Sequence, residues 1–557
     1  MKRVLIFLFV SFLGLVFLAS ATFWMPGQNN QSARDTQPAD TSQQLDAEVA
    51  GATESSAPAV SSSVPAQPQS AQPPNSPAPA TPLSPLRFPD WPKPSAVLVV
   101  TGEQQGYFEP CGCTANQLGG MTRRAGLFRQ LRDLDWDVRG IDLGSLSSRT
   151  GTQAQLKFET TLQALRDLNY IAVGLGPEEL RLDPGYLLSQ HVTDGDEFLG
   201  FVSANLTFFG SRDLGTPLAS RIITIGGVRV GITSLLSETL RNEVLPAGSP
   251  PGDAEWTDPQ ESLKAVLEDF DAQQVQFRVL LSQATLDESR AFARAFPQLD
   301  LIVAAQGFGD GEPDPELIGT VRLIQAGEKG KTAGVVGIYP EDTAQPVRFE
   351  LVKLNGGRFG DDPAMVQLLQ QYQQRLREQR LVAAEAAVRH PSGAAFVGAR
   401  KCGECHTKAF AVWEKSAHSH ALESLDPALA RRGAERLHGI QRFHDPECLA
   451  CHVTGWDPRD YIRFESGFLN EEFASSPAER GLEQLLAGNQ CENCHGPGST
   501  HIDLVENGAE PEEAAKSVRV TLQQARDSAC YRCHDGENSP EFDFDRYWEQ
   551  IRHPDRD

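Results

Sequence analysis

The sequence predicts a multidomain chain, in which an α/β sandwich domain is followed by a mainly α-helical domain. Two observations support this prediction. Short β-branched runs alternate with helical patterns over residues 95–355, which is typical of α/β domains. Residues 398–557 instead carry eight of the ten cysteines, in short motifs at regular spacing.

The first 25 residues are predicted to direct export or to anchor the chain. Lys2-Arg3 precede an apolar run from Val4 to Met25, and Ala19-Ser20-Ala21 is a plausible cleavage site. Uncut, the run is long enough to span a bilayer, so a signal peptide and a retained inner-membrane anchor both stay open. Both a signal peptide and a retained anchor predict that the rest of the chain lies in the periplasm or another extracytoplasmic compartment.

Residues 26–94 are predicted to be a disordered tether. Gln, Ser, Ala, Pro and Thr dominate this segment, and such a composition cannot bury a hydrophobic core. A tether of this kind would give the folded part room to reach if the N-terminus is anchored.

The α/β domain is predicted over residues 95–355 and a helical linker over residues 356–397. Asp361 to Ala387 reads as one long helix, with Pro363 near its start and His390-Pro391 past its end. This helix either spaces the two domains or is the last helix of the α/β domain. The strand-like runs are SAVLVV, FRVLLS, DLIVAA and TAGVVGIY, and the helical patterns include TRRAGLFRQLRDL and QAQLKFETTLQALRDL.

One motif, Cys-x-x-Cys-His, occurs four times in residues 398–557, far more often than chance allows. This pattern is typical of c-type haem attachment. Its two thiols add to the two vinyl groups of a haem, and the adjacent histidine becomes an axial ligand of the iron. The four copies are Cys402-Cys405-His406, Cys448-Cys451-His452, Cys491-Cys494-His495 and Cys530-Cys533-His534.

Four covalently bound haem c groups explain these motifs better than zinc or disulfides do. Zinc has no reason to require a histidine directly after every cysteine pair, and disulfides need no histidine. The first cysteines of successive motifs are 46, 43 and 39 residues apart. Because each haem has so few residues around it, we expect the haems to supply much of the core and to lie close to one another.

Three further histidines are candidate distal ligands. His501 lies too near His495 in sequence to reach the far face of the same iron, so it is expected to cap a neighbouring haem. His418 lies in a predicted helix twelve residues after His406, and His553 follows the pattern YWEQIRHP. The weaker candidates are His420, on another side of the His418 helix, and His438 and His444.

The segments CGECH, W-x-x-S-x-H, DPECLACHVTG, CENCHGPGSTH and CYRCHD resemble the cytochrome c-554-like multihaem cytochromes. The resemblance implies a tetrahaem domain in which three irons have histidine on both faces and one is five-coordinate. By motif position it assigns His418, His501 and His553 as the distal ligands. The iron on His452 is then the open one, unless His444 or His438 closes it.

Axial ligation separates an electron carrier from an enzyme. Two histidines saturate an iron and leave only outer-sphere electron transfer, whereas a vacant position can bind a small molecule. The leading hypothesis is therefore an extracytoplasmic tetrahaem electron carrier. The alternative is an oxidoreductase that acts on a small nitrogen or sulfur species at the open iron.

The segment TGEQQGYFEPCGCTANQLGGMTRRAGLFRQL, with FVSANL and ITIGGVRVGITSLLS, resembles secreted metallophosphoesterases of the 5′-nucleotidase type. The resemblance implies their α/β fold, but phosphoesterase activity is not expected because the metal-binding motifs are replaced. The domain is then a docking or sensor module. The replacements are Glu103-Gln104-Gln105, Gly144-Ser145, Pro177-Glu178, Gln283 and Gln306, and His191 is the only histidine of the domain.

Cys111 and Cys113 are the only cysteines outside the four haem motifs. A disulfide between residues two apart would close a strained ring and be easily reduced. A redox-active pair, a metal site, an intermolecular link and plain structural cysteines all stay open.

The net charge of the chain limits the classes of binding partner that we expect. The net charge of −24 argues against nucleic acid and anionic lipid surfaces. From Gly398 onward there are 18 basic and 29 acidic residues, a net charge of −11. A redox partner with a basic docking patch is therefore expected, although acidity that only keeps an exported protein soluble is an equal alternative.

Overall fold

The β-branched runs of the first half form strands, as the computed structural model of the chain shows. It describes residues 84–110, 117–190, 199–212, 217–244, 253–305, 309–384, 386–431 and 433–554. The strands of the first half are β1 (Ala96–Thr101), β2 (Val138–Asp142), β3 (Tyr170–Gly174), β4 (Gly200–Val202), β5 (Leu206–Phe208), β6 (Arg221–Ile225), β7 (Val228–Leu236), β8 (Ala254–Trp256), β9 (Phe277–Gln283), β10 (Leu301–Ala304), β11 (Glu316–Ile318), β12 (Val321–Gln325), β13 (Thr332–Ile338) and β14 (Val347–Lys353).

Several predictions concern residues outside this description. They involve the signal or anchor segment (1–25), residues 26–83 of the tether, Cys111, Cys113, His191 and Gln306. Within the described residues, no helix is long and apolar enough to cross a membrane.

Two six-stranded sheets organise the first half. The first has the order β14-β13-β1-β2-β3-β4, and the second β11-β12-β10-β9-β7-β6. Strands β1 to β4 are mutually parallel, and so are β7, β9, β10 and β12, whereas the outer pairings β1–β13, β13–β14, β6–β7 and β11–β12 are antiparallel. Parallel strands need long crossovers, which the helices between the strand-like runs supply.

Alternation along β1 shows how the layers pack. Leu98 and Val100 join a core cluster that includes residues of both sheets, such as Val279 of β9. Val97 and Val99 point to the opposite face and join the cluster of the outer helices. Because successive side chains of a strand point to opposite faces, β1 is buried on both sides. The first half is therefore a sandwich of two sheets with helices on both outer faces.

The helices that cover these sheets follow the predicted patterns, except for the last. The predicted helix Asp361–Ala387 is wrong in its C-terminal part, because the helix ends at Glu378 and Arg380 has a positive φ of 52°. The helices are α1 (Met121–Asp133), α2 (Thr152–Asp167), α3 (Pro184–Gln190), α4 (Glu238–Val244), α5 (Pro259–Ala272), α6 (Leu286–Ala295), α7 (Pro363–Glu378) and α8 (Leu381–Ala384).

Helix α7 packs on the α/β domain. Leu369, Tyr372 and Leu376 of α7 are buried in the cluster that also holds α1 and α2. Of the two roles predicted for this segment, the structure favours that of the last helix of the α/β domain.

The last residues of the predicted tether belong to the folded part. Phe88 is buried, and its backbone N–H donates to Glu350 Oε2 at 2.7 Å. Trp91 stacks on Trp136 with ring centroids 6.4 Å apart. The α/β domain therefore begins before residue 95. Composition alone does not reveal this boundary, because it does not show that these aromatic residues pack on the domain.

The second half is mainly helical, and the predicted fold class is confirmed. Its one hairpin among the described residues is formed by β15 (Trp456–Asp457) and β16 (Ile462–Arg463). Its helices are α9 (Ala399–Gly403), α10 (Thr407–Lys415), α11 (Pro446–His452), α12 (Leu482–Leu486), α13 (Cys491–His495), α14 (Ser499–Glu506), α15 (Pro511–Ala515), α16 (Leu522–Gln524) and α17 (Phe544–Ile551).

Hydrophobic side chains fill the second half unevenly. A cluster around α11 includes Leu449, Trp456, Phe468 and Leu486. Among the described residues after 490, the buried hydrophobic side chains are only Ala514, Ala525 and Phe544. This part of the chain carries two of the four motifs, so it depends on another source of apolar surface.

Polar contacts join the two halves. Arg442 of the second half is buried, and its Nη2 lies 3.1 Å from Glu109 Oε2 of the α/β domain. Further contacts across the same boundary are Lys157 Nζ–Glu447 Oε2 at 2.5 Å, Gln153 Nε2–Asp445 Oδ1 at 2.7 Å, Lys329 Nζ–Glu537 Oε1 and Lys331 Nζ–Glu537 Oε1 at 3.0 Å each, and Arg377 Nη2–Glu472 Oε2 at 3.0 Å. The α/β domain thus neutralises part of the acidity of the second half.

Removing the partner of the buried guanidinium should destabilise this boundary. We expect Glu109→Gln to lower the free energy of unfolding by about 2–3 kcal/mol, because Arg442 keeps its charge without its carboxylate. Denaturant unfolding of the holoprotein, followed by far-ultraviolet circular dichroism, measures the change. Asp135→Asn removes an exposed ion pair with Lys93 and should change nothing measurable. Equal effects of the two substitutions would contradict the prediction.

Candidate haem-binding site

Each Cys-x-x-Cys-His motif lies on or beside a helical turn. The second motif ends α11, the third forms α13, and the first lies across the end of α9 and the start of α10. The fourth follows a π-helical turn, Ala525–Ala529, and begins in the 3-10 turn Cys530–Arg532. Helical residues three and four apart share a face, so the two thiols and the imidazole of a motif point the same way.

The structure brings each predicted distal histidine next to a motif histidine. His406 and His501 have ring centroids 6.1 Å apart. The corresponding distance is 6.1 Å for His418 and His534, and 5.9 Å for His495 and His553. His418 reaches this position from a 3-10 turn, His418–His420, rather than from the predicted helix, because α10 ends at Lys415.

These spacings fit an iron between two imidazoles. A bond between a metal and an imidazole nitrogen is about 2.0–2.1 Å long, so two rings on opposite sides of one metal have centroids roughly 6 Å apart. The donor atoms are also appropriate, because histidine is a usual axial ligand of haem iron. The ligand roles of His418, His501 and His553 stay predictions, which this geometry supports.

Hydrogen bonds fix the outer nitrogen of several of these imidazoles. The Nδ1 atoms of His452, His495 and His501 lie 2.8, 2.7 and 2.8 Å from the carbonyl oxygens of Ala421, Val518 and Ala514. That of His534 lies 2.9 Å from Ser539 Oγ. A metal-bound histidine usually donates its second N–H in this way, which orients the ring and leaves Nε2 for the metal.

Burial keeps the central imidazoles neutral. It lowers the pKa of His418 to about 4, with a smaller contribution from nearby His534 and His452. Burial likewise lowers the pKa of His495 and of His534. A neutral imidazole is the form that binds a metal, so these side chains need not lose a proton near pH 7 to act as ligands.

The weaker candidates have carboxylate neighbours instead. His444 Nε2 lies 2.6 Å from Glu472 Oε1, and His438 Nδ1 lies 3.8 Å from Asp361 Oδ2. His420 Nδ1 lies 3.0 Å from Glu423 Oε1. These contacts do not favour His438 or His444 as a ligand at the second motif. The coordination of an iron on His452 stays a prediction.

The four motifs lie close to one another in a series. The side chains of Cys402 and Cys491 interact directly and connect the first motif to the third. Cys494 lies close to Cys530 and connects the third to the fourth. Cys451 and Cys533 interact directly and connect the fourth to the second. The order in space is therefore first, third, fourth, second, which the sequence does not reveal.

The two residues between the cysteines of the third motif hold this arrangement together. The buried carboxylate of Glu492 accepts backbone N–H bonds from Val397, Gly398 and Gly498 at 2.8–3.2 Å, and burial raises its pKa. Asn493 Nδ2 donates to Val453 O, next to the second motif, at 2.8 Å. The third motif is thereby fixed to the chain before the first motif and to the chain after the second.

Another set of polar residues lies at the strand ends of the α/β domain, where the phosphoesterase-like motifs are altered. The buried Glu179 accepts backbone N–H bonds from Ser145, Leu146 and Gly176 at 2.7–3.0 Å. Burial, together with the charge of Glu178, raises the pKa of Glu179 to about 7. These hydrogen bonds hold the strand-end loops to each other, so Glu179 has a structural role.

A buried arginine supplies cationic charge at the same strand ends. Arg124 is fully buried and hydrogen-bonds to Gln104, and its Nη1 lies 3.9 Å from Asp142 Oδ2. Asp142 also accepts from Thr101 Oγ1 at 2.6 Å, and burial raises its pKa.

Within the described ranges, no group of three or more His, Cys, Asp or Glu side chains is arranged to hold a metal ion. That the domain lacks phosphoesterase activity stays a prediction.

Comparison with known proteins finds similarity to both of the families that the sequence resembles. Residues 401–496, which contain three of the four motifs, match the family model "Cytochrome c554 and c-prime". This part of the chain is cytochrome c-554-like. The cytochrome c-554-like part is also 31% identical over 108 residues to cytochrome c-554 of Nitrosomonas europaea, covering 19% of this chain and 40% of that protein. The cofactor that these matches imply is covalently bound haem c.

Solved structures similar to the chain fall into the same two groups. The 5′-nucleotidase precursor of Thermus thermophilus is 24% identical with a TM-score of 0.44, and the match covers 53% of this chain and 61% of that one. Reduced cytochrome c554 of Nitrosomonas europaea is 23% identical with a TM-score of 0.20, covering 28% of this chain and 78% of that one. The chain thus spans less than two thirds of both the nucleotidase and the curated cytochrome.

Sequence reasoning did not identify the residues that orient the ligands. The carbonyls of Ala421, Ala514 and Val518 have no signature, because any residue has one. Glu492 and Asn493 lie inside a recognised motif, but their spacing alone does not say that they bond elsewhere. Their polar character between two cysteines is the only sequence signal.

Glu492 should matter more to stability than Glu404, the acidic residue between the cysteines of the first motif. We expect Glu492→Gln to lower the free energy of unfolding by about 2 kcal/mol, because an amide N–H₂ then faces backbone donors in a buried site. Denaturant unfolding of the holoprotein measures this. Glu404→Gln changes the second residue between the cysteines of the first motif, where the side chain is 61% exposed, and should have no measurable effect. A stability of Glu492→Gln equal to that of the unaltered protein would contradict the assignment.

Removing His501 should open one coordination position. For His501→Ala we expect one iron to change from low spin to high spin, because the imidazole facing His406 is lost. Electron paramagnetic resonance of the ferric protein measures this, and carbon monoxide binding to the ferrous protein checks it. His420→Ala is the matched control, since His420 contacts Glu423 and should leave every spin state unchanged. Unchanged spin states in His501→Ala would show that His501 is not a ligand.

Proposed function

We propose that the protein is an extracytoplasmic c-type cytochrome that carries electrons between redox partners through four covalently bound haem groups. The observation that carries this proposal is the set of three imidazole pairs with centroids 5.9–6.1 Å apart. Haem iron, when bound, supplies one-electron transfer between its ferric and ferrous forms. If these pairs hold haem iron, three irons would have no free position for substrate, which favours electron transfer at the first, third and fourth motifs. The alternative, an oxidoreductase, would act at the second motif.

The contacts between motifs support transfer along a chain. The side chains of Cys402 and Cys491, and those of Cys451 and Cys533, interact directly. Haem groups held by these cysteines would therefore lie near one another, and the order first, third, fourth, second would give electrons one continuous route. The scarcity of other buried hydrophobic side chains among the described residues after 490 also suits haem groups as core.

The proposed compartment is the periplasm or an equivalent space. It rests on the predicted export segment, Val4 to Met25, and on the covalent attachment that the motifs imply. Retention of that segment as a membrane anchor is a further option within the same proposal. The polar contacts between the halves favour an additional role for the α/β domain, which is to hold the cytochrome part in a fixed position.

The proposed partner is a protein with a basic docking patch. Glu510, Glu512 and Glu513 lie on and before α15 in an acidic stretch, and the side chain of Glu506 on α14 is 66% exposed. Helix α14 also carries His501. A basic partner attracted to these two helices would therefore approach the first and third motifs.

The carrier proposal is tested by mixing the ferrous holoprotein, without oxygen, with candidate oxidants. We expect rapid reoxidation by a basic monohaem cytochrome c, at a rate that falls with ionic strength because the attraction is electrostatic. We expect no multiple-turnover consumption of nitrite, hydroxylamine or sulfite. Sustained turnover of any of these three species would replace the carrier by an enzyme.

The docking surface is tested in the same experiment. Glu512→Gln combined with Glu513→Gln should reduce the second-order rate at low salt by roughly 3-fold or more. Asp287→Asn combined with Asp314→Asn is the matched control, because these side chains of the α/β domain are 92% and 80% exposed. Equal rates for both pairs would place the docking surface elsewhere.

A further inference from the structure

A cavity of about 340 Å³ lies between the α/β domain and the cytochrome c-554-like part. Residues after β2 and at the start of α2 form one wall, and α8, the start of α11 and the β15–β16 hairpin form the other. Its volume lies within the range of cavities that bind small organic molecules. The cavity is separate from the imidazole pairs, since none of the paired histidines lines it.

Arg463 is the charged residue of the buried part of this cavity. Its side chain is 8% exposed, and its Nη2 lies 3.7 Å from Glu479 Oε1. In the described part of the chain, neither its Nε nor its Nη1 has a hydrogen-bond partner. Burying such donors without a partner costs free energy, so buried polar groups are nearly always satisfied in native proteins. Both atoms are shielded from solvent and from the cavity, and the carboxylate of Glu479, 3.7 Å from Nη2, is the one ion-pair partner of this guanidinium among the described residues, so its buried charge is only partly offset.

The mouth of the cavity adds positive charge. Arg149 and Arg181 lie there, and Arg149 is placed over the ring of Tyr461 at 4.1 Å. Of the two acidic lining residues, Glu447 is paired with Lys157 at 2.5 Å, and Asp460 is exposed. When Lys157 and Glu479, the neighbours of Glu447 and Arg463, are included, four basic groups face three acidic ones, and this net charge of +1 favours an anion.

The remaining wall is apolar. Trp456, Leu381 and Val382 are all buried and line the cavity. Arginine binds carboxylate and phosphate oxygens with two parallel N–H donors. A ligand that interacts favourably with both the guanidinium groups and this apolar wall has an anionic oxygen group at one end and an apolar body.

We propose that this cavity is a binding site for a small organic anion, whose carboxylate or phosphate pairs with Arg463 and whose apolar part packs on Trp456. The bound anion contacts both halves of the chain and therefore stabilises their association. The inference is independent of the proposed electron transfer, since it concerns binding alone.

The test is calorimetric titration of the ferric full-length holoprotein with four probes. Phenyl phosphate and benzoate have the required head and body, inorganic phosphate has only the head, and benzyl alcohol has no charge. We expect one or both aromatic anions to bind more tightly than inorganic phosphate, and benzyl alcohol not to bind. The comparison of phenyl phosphate with benzoate identifies the head group. Absence of binding by both aromatic anions at millimolar concentration, or equal binding of benzyl alcohol, would overturn the proposal.

Variants locate the site. Arg463→Met should weaken binding of the aromatic anion at least 10-fold, and Arg480→Met, at an arginine of the same half outside the cavity lining, should leave it unchanged. Arg149→Gln, at the mouth, should weaken it by a smaller factor and keeps the test decisive if Arg463→Met fails to fold. Wild-type affinity in either Arg463→Met or Arg149→Gln would overturn the proposal. None of these residues belongs to the haem motifs, so haem content and spectra report separately on the proposed function.

Discussion

The separation between paired imidazoles is the constraint on which the second half of the molecule depends. In three pairs, two rings lie on either side of a gap that fits one metal ion, and hydrogen bonds from behind keep several of these rings from turning. The backbone carbonyls of Ala514 and Val518 do this for His501 and His495. Irregular backbone, with short helices and turns, follows from placing so many imidazoles and carbonyls at fixed distances within few residues.

The sequence predicts the chemistry of each haem motif, but it does not predict how the motifs are arranged in space. A Cys-x-x-Cys-His motif specifies its own geometry, because thiols and imidazole share a helical face. The partner of His501 could be narrowed to a neighbouring motif, since His495 is too close along the chain. That the neighbour is His406 depends on contacts between residues far apart in sequence, such as Glu492 with Val397. The early end of α7 depends similarly on Arg380, whose backbone conformation has no signal in its side chain.

In the α/β half, the fold and the contacts at the strand ends depend on different parts of the sequence. Its two sheets and their helices follow the hydrophobic pattern of the sequence, which is largely independent of the loops. At the strand ends, Glu179 and Arg124 form hydrogen bonds and ion pairs within the protein. Because these groups are hydrogen-bonded or ion-paired within the protein, they stabilise the loops at the strand ends. The surface of this half contacts the cytochrome c-554-like part mainly through polar and charged side chains.

The ion pair between the buried Arg442 and the half-buried Glu109 has a consequence for how the sequence can change over time. A substitution of either residue alone leaves the other charged side chain at the boundary without its ion-pair partner. The two positions should therefore vary together among related sequences. Recombination that exchanges one half for a distant counterpart would separate the pair and be selected against. The two halves are therefore expected to be inherited as a unit.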